Sequence, residues 1–301
     1  MKISGFFIIR NGEKFDYPYL ESLRSLLPLV DEVHVNVGIG EDSTIDRLKR
    51  FEAEEGQGKV RIFESHWPLD DPEKRRGGKI LSEQTNLALD RCTGDWCLYI
   101  QADEILHEQD YPALISAMRD GLNDPEVDGL LFDYRHFYGS YDIIQDSRSA
   151  YRREVRAIKR SSQARSVGDA QSFRLADGKK PKVIRANARI FHYGWVRTPD
   201  AMKDKTVFMD SLYHGKTDSK EEQTPYSGNN YKYKRFWGLK RFQETHPAVM
   251  KSRIQEKNWQ WDFENSPFVF GRKDITKIPL DLIERVTGNR LFEYRSYQLL
   301  R

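Results

Sequence analysis

Two cysteines, Cys92 and Cys97, are all that 301 residues contain, and they stand five positions apart with no second pair. That scarcity excludes a disulfide framework and a four-thiolate zinc site. Long hydrophobic runs are also missing. The strongest, Gly5-Phe6-Phe7-Ile8-Ile9, is stopped by Arg10 and Asn11, far short of the ~18 residues that cross a bilayer and too short for a signal peptide. The expectation is a cytoplasmic protein with reduced thiols, at most peripheral at the inner face of a membrane. Overall charge is small as well, +3 from 49 Lys and Arg against 46 Asp and Glu. That balance conceals a split. Residues 1–150 hold 17 basic and 29 acidic side chains, a net of −12, whereas residues 151–301 hold 32 and 17, a net of +15. Such asymmetry points to polyanionic partners: nucleic acid, phosphates or a membrane surface. The hydrophobic content of 38% and aromatic content of 12% suffice for a core and exclude wholesale disorder.

Apolar runs of strand length alternate with helical spacing through the first third. Residues 3–9, 33–37, 60–63 and 96–100 read as strands. Tyr19 to Leu27, the stretch through Leu48 and Phe51, and residues 79–91 read as helices, the last with Leu81, Leu87 and Ala88 on its inner face. This alternation predicts an α/β fold with a mostly parallel sheet covered on both faces. Ligands of such sheets bind beyond the carboxyl ends of the strands, which directs attention to loops 10–13, 36–42 and 101–104. Further strands are expected at 130–134 and 188–193, with a basic, Ser-rich stretch from Arg152 to Arg165 between them.

The sharpest local feature is Tyr99-Ile100-Gln101-Ala102-Asp103-Glu104, two adjacent carboxylates where a buried strand emerges. A carboxylate there can meet Mg²⁺ or Mn²⁺ together with substrate phosphates. Alternatively, Asp103 or Glu104 caps the helix that contains Tyr111 to Met118.

Several motifs, taken in order, resemble the core of family 2 glycosyltransferases: Phe7-Ile8-Ile9-Arg10-Asn11-Gly12-Glu13, then Asp42-Ser43-Thr44-Ile45-Asp46, then Gly78-Lys79 through Asn86, then Thr93-Gly94-Asp95-Trp96 to Gln101-Ala102-Asp103-Glu104. The resemblance covers roughly residues 3–110. It implies a GT-A (Rossmann-like) fold, a nucleoside-diphosphate sugar as donor, and Mn²⁺ or Mg²⁺. Carried over by position, Arg10, Asn11 and Glu13 fall in the loop that approaches the nucleotide. Asn36 and Gly38 fall near the base, Lys79 near the donor, and Asp103 where the last Asp of Asp-x-Asp meets the metal. Gln101 stands in place of the first Asp and Asn36 in place of a base-binding carboxylate, so negative charge is lower than in the family pattern.

In the second half, His192 ends a strand and is a candidate to complete the metal shell; a core histidine satisfied by backbone is the competing reading. Asp169, in a Gly-flanked loop, is the candidate general base of an inverting transfer, against the reading of an ordinary turn aspartate; Glu154 and Asp133 stand in reserve. Arg174, Arg189 and Arg197 are candidates for phosphate contacts. The run Tyr231-Lys232-Tyr233-Lys234-Arg235-Phe236-Trp237 is either a covered helix face or a surface for sugars, anionic headgroups or bases. The expected organisation is a GT-A domain over 1–198, with its nucleotide and metal part in 1–110 and its acceptor part in 111–198, followed by a basic, helical extension over 199–301. The acceptor expected is a glycan or a lipid-linked sugar, with peripheral membrane contact through the basic aromatic C-terminal region and no nucleic acid. The alternatives are a GT-A-like binding protein without activity and a nucleic-acid-binding protein that uses the basic half.

Overall fold

The structure is a computed structural model, and it describes residues 1–214, 231–272 and 274–300. The chain opens with two β–α units and a third strand: β1 (Ile3–Ile9), α1 (Tyr19–Leu26), β2 (Glu32–Gly38), α2 (Thr44–Glu54) and β3 (Val60–Ser65). There follow α3 (Pro72–Arg75), α4 (Lys79–Leu89), β4 (Trp96–Tyr99), β5 (Glu104–Leu106) and α5 (Tyr111–Asn123). The second half adds β6 (Gly129–Tyr138), β7 (Ser140–Gln145), β8 (Arg153–Lys159), β9 (Arg165–Val167), β10 (Ser172–Arg174) and β11 (Lys182–Trp195). Last come α6 (Pro199–His214), β12 (Leu239–Arg241), α7 (Lys251–Gln255), α8 (Asp274–Thr287) and β13 (Gln298–Leu299).

Strands β3, β2, β1 and β4 lie side by side and parallel, as short apolar runs separated by helices require. Their side chains alternate between two cores. Phe7, Ile9, Trp96 and Leu98 pack under α1 and α5 through Tyr19, Leu23, Leu26, Leu114 and Met118. Phe6, Ile8, Cys97 and Tyr99 pack against α4 and α6 through Ile80, Ala88, Leu89 and Leu212. Within α4 the inner residues are Ile80 and Ala88; Leu87, expected inside, is 40% exposed.

Beyond β4 the sheet becomes mixed. β8 runs antiparallel to both β4 and β6, so the basic stretch between the expected strands contains a strand of its own. The 14-residue β11 is the hub: it pairs parallel with β6 and antiparallel with β5. The register sets His192 opposite Glu104 on one side and opposite His136 on the other. Glu104 therefore starts a strand rather than a helix, and the capping reading of the Asp103-Glu104 pair gives way.

The C-terminal hundred residues contain α6, α7 and α8, and they also return two strands to the main sheet, β12 onto β7 and β13 onto β11. Residues 215–230, 273 and 301 of this segment lie outside the described residues. The run from Tyr231 is extended rather than helical. Tyr231 and Tyr233 are buried with Tyr138 and Met202, so the covered reading holds and these rings are not available to lipid or bases.

Candidate active site

A cavity of about 470 Å³ opens beyond the carboxyl ends of β1 and β4, where a sheet of this topology leaves room for a ligand. Arg10, Gln101, Asp103, Asp169 and His192 all line it. Four stretches far apart in sequence thus converge on one space. Its remaining wall is largely apolar, with Ile8, Tyr17, Trp67, Tyr99 and Phe208 among the contributors.

Asp103 sits at the floor, 6% exposed, its carbonyl accepting from the Tyr193 amide at 2.8 Å. Lys205 Nζ donates to Asp103 Oδ2 at 3.0 Å and to the Gly194 carbonyl at 2.8 Å. His192 Nε2 lies 3.7 Å from Asp103 Oδ1, and Arg197 Nη2 lies 3.8 Å from Oδ2. Burial opposes ionisation of Asp103, but the Lys205 and Arg197 cations outweigh it and hold the carboxyl well below the usual range. Burial, together with the like charge of Arg197, pushes the Lys205 ammonium down to about 8 against the pull of Asp103.

The tautomer of His192 follows from its neighbours. His136 Nε2 is 2.7 Å from the Tyr151 carbonyl oxygen, which only accepts, so Nε2 carries the proton. The His136 Nδ1 is then an acceptor, and His192 Nδ1, 2.9 Å away, donates to it. The remaining nitrogen of His192, Nε2, presents its lone pair toward Asp103. Burial lowers the pKa of both rings, that of His136 to about 3, which keeps them neutral. Gly194 makes this packing possible, since a Cβ there would stand 2.4 Å from His192 Nε2.

Beneath the floor, Arg156 and Glu104 form an ion pair in which both side chains are fully buried. Arg156 Nε and Nη2 each reach a different Glu104 oxygen at 2.9 Å, and Tyr134 adds a third hydrogen bond at 2.8 Å. Glu104 is therefore consumed as a structural anion, and Asp103 alone of the two carboxylates faces the cavity.

Also on the lining, Asp169 accepts from the Tyr213 hydroxyl at 2.9 Å and from the Gln171 backbone amide at 3.2 Å. Gly78, with φ +71°, packs on it so closely that a Cβ would lie 2.9 Å from Asp169 Cβ. The Gly-Lys element and the candidate base are thus neighbours, and Lys79 itself is exposed at the start of α4.

Four other candidates support the site rather than line it. Asn11 is buried and braces the loop after β2, accepting from the Glu41 amide at 2.9 Å. Glu13 is held by Tyr19 and Arg47, each at 2.6 Å. Asn36, expected near the base, is fully buried, and its amide bonds Gln84 and Ser65. Gly38 leaves space for the Trp67 indole, whose Nε1 would be 2.5 Å from a Cβ there. Among the arginines, Arg197 adjoins Asp103, while Arg189 pairs with Asp110 and Glu244 and Arg174 donates to the Ser296 carbonyl and Tyr294. The reserve carboxylates are occupied elsewhere: Asp133 pairs with Arg153, and Glu154 is buried against Gln171 and Ser296. Lys205 and Tyr17 were not singled out from sequence; neither stands in a local motif.

The α/β fold with a largely parallel half-sheet that the sequence implies is present: parallel strands ordered β3-β2-β1-β4, an antiparallel neighbour beside β4, and Asp103 in the loop that follows β4. No protein-family model and no curated protein matches the chain. Among solved structures it is similar to S. aureus TarS 1-349 in complex with UDP-GlcNAc, at 16% identity and a TM-score of 0.32, covering 46% of this chain and 35% of that one. It is also similar to the mannosyltransferase PcManGT from Pyrobaculum calidifontis in complex with GDP-Man and Mn²⁺ (16% identity, TM-score 0.36, 56% and 50% covered). A third is GalNAc-T7 with UDP, GalNAc and Mn²⁺ (10% identity, TM-score 0.41, 70% and 48% covered). The chain spans less than two thirds of the length of each.

Proposed function

We propose that this chain is a glycosyltransferase that moves a sugar from a nucleoside-diphosphate sugar to a hydroxyl of a glycan or lipid-linked acceptor, with inversion. The observation that carries the reading is the pairing, across one cavity, of a cation-surrounded carboxylate, Asp103, with a second carboxylate, Asp169. The cationic side suits a diphosphate. The apolar wall suits the faces of a base and a sugar. Asp169 is the base: it takes the proton of the attacking hydroxyl as that oxygen bonds to the anomeric carbon and the bond to the diphosphate breaks. Tyr213 and Gln171 orient its carboxylate.

A divalent cation fits the pair formed by Asp103 Oδ1 and the lone pair of His192 Nε2, 3.7 Å apart. Among the described residues no group of three His, Cys, Asp or Glu side chains assembles, so the rest of such an ion's ligands would come from donor phosphates and water, as is usual for Mg²⁺ and Mn²⁺. Such an ion supplies charge neutralisation at the departing diphosphate. The neighbours' complexes with UDP-GlcNAc, and with GDP-Man and Mn²⁺, agree with this donor class. No helix of the described residues is long and apolar enough to cross a membrane.

The test is a thermal-shift panel of UDP-, GDP-, CMP- and dTDP-sugars with and without Mn²⁺, followed by donor hydrolysis for wild type and Asp103→Ala. Stabilisation by one nucleotide class and loss of turnover in the variant are expected. No stabilisation by any nucleotide sugar, or full turnover in Asp103→Ala, overturns the reading.

A further inference from the structure

Asp103 carries more positive charge around it than a metal ligand needs. Lys205, from the middle of α6, lines the cavity and is bound to Asp103 Oδ2 and the Gly194 carbonyl. Behind it, the Arg197 side chain is fully buried. Arg197 Nη1 donates to the Phe15 carbonyl at 2.7 Å, but its Nε and Nη2 have no hydrogen-bond partner among the described residues. Both cations stand over the same ring, Tyr17, with the Arg197 guanidinium 4.7 Å and the Lys205 ammonium 5.0 Å from its centroid. Immediately around Asp103, one buried carboxylate, two cations and a neutral imidazole leave a local net positive charge. Buried charge of one sign without its counterpart is costly, so the arrangement is built to receive an anion. Gln101, which lines the same cavity, adds no negative charge.

We infer that Lys205 is a resident counter-ion for the donor diphosphate. In the free protein it rests on Asp103; in the complex it donates to a phosphate oxygen, while Arg197 contributes fixed charge from behind. Nucleotide binding then does not depend wholly on a divalent cation: the metal and Lys205 share the diphosphate, one from the Oδ1 side of Asp103 and one from the Oδ2 side. This rests on the donor reading proposed above.

Calorimetric titration of UDP, GDP and dTDP into the full chain, once with EDTA and once with Mn²⁺, tests it on wild type, Lys205→Met and Lys205→Arg. Wild type should bind one of the diphosphates in EDTA. Lys205→Met should weaken that binding tenfold or more, as loss of a charge-assisted hydrogen bond does, yet keep binding in Mn²⁺. Lys205→Arg should recover part of the EDTA binding, which separates lost charge from lost fold. Wild-type binding in Mn²⁺ but not in EDTA overturns the role of Lys205 and leaves the donor reading standing; so does Lys205→Met binding equal to wild type in EDTA. Absence of wild-type binding in both conditions overturns the donor reading, and this inference with it.

Discussion

His136 Nδ1 and His192 Nδ1 lie 2.9 Å apart, and because His136 spends its proton on the Tyr151 carbonyl, His192 must turn an unprotonated Nε2 toward Asp103. The outer histidine thus selects the tautomer of the inner one. Removing it with His136→Phe frees His192 to rotate or switch tautomer. Partners of this kind are typically worth about 10–100-fold in metal affinity, so Mn²⁺ titration followed by thermal shift should show a loss of that order with the apo melting behaviour retained. An unchanged Mn²⁺ response would show that His192 does not depend on this contact.

The Glu104–Arg156 pair should matter to stability rather than to ligand binding. Arg156→Ala leaves a fully buried carboxylate with Tyr134 and the Gln101 amide as its remaining partners. Breaking one side of such a pair costs about 3–5 kcal/mol. Urea unfolding should show a loss of that size, whereas replacing both residues, Glu104→Leu with Arg156→Met, should recover much of it.

Asp169→Asn keeps the shape of the side chain and its acceptor oxygen but removes the base. Transfer to the acceptor should fall by about 10²–10⁴-fold, with nucleotide affinity little changed because the phosphate contact proposed above comes from Lys205 and not from Asp169. Measuring turnover and diphosphate affinity in the same variant decides it; normal turnover would move the role to another group.

Glu154 gives a pH dependence. Burial raises its carboxyl to about 7 in the folded protein, despite Arg156 and its bonds to Ser296 and Gln171, from an ordinary 4.5. The native state therefore binds a proton that the unfolded chain has released between these two values. Stability falls as pH rises through that window, by at most about 3 kcal/mol. Glu154→Gln should flatten this part of the profile. Urea midpoints at pH 5 and pH 8 for both proteins would show it, and equal slopes would contradict it.

The parallel half of the sheet was legible because its strands are buried on both faces and so read as unbroken apolar runs between helical spacing. The residues that end those strands were legible for the same reason, since Arg10, Gln101 and Asp103 interrupt apolar sequence abruptly. Asn36 misled: a polar residue in a strand looks like a ligand contact, but Gln84 and Ser65 satisfy it internally. β8 was hidden because Arg156 stands where a buried strand should be apolar, and only Glu104, 52 positions away, makes that residue tolerable. Part of the basic excess of the second half is likewise taken up by pairs with the first half, such as Arg189 with Asp110 and Arg153 with Asp133. Lys205 left no trace, because nothing near it in sequence differs from a lysine on the surface of a helix.

The long β11 also imposes an order on synthesis. β1 to β4 emerge first and can pair among themselves, but the three residues of β5 find their partner only when β11 has been made. Lys205 follows Asp103 by 102 positions, which at the usual pace of translation is a delay of about 5–20 s. Over that interval the nascent chain holds the floor of its cavity without the cations that later stand on it. The basic half therefore completes a site that the acidic half has already laid down, and the last strand to dock, β13, closes onto the same β11 that carries His192.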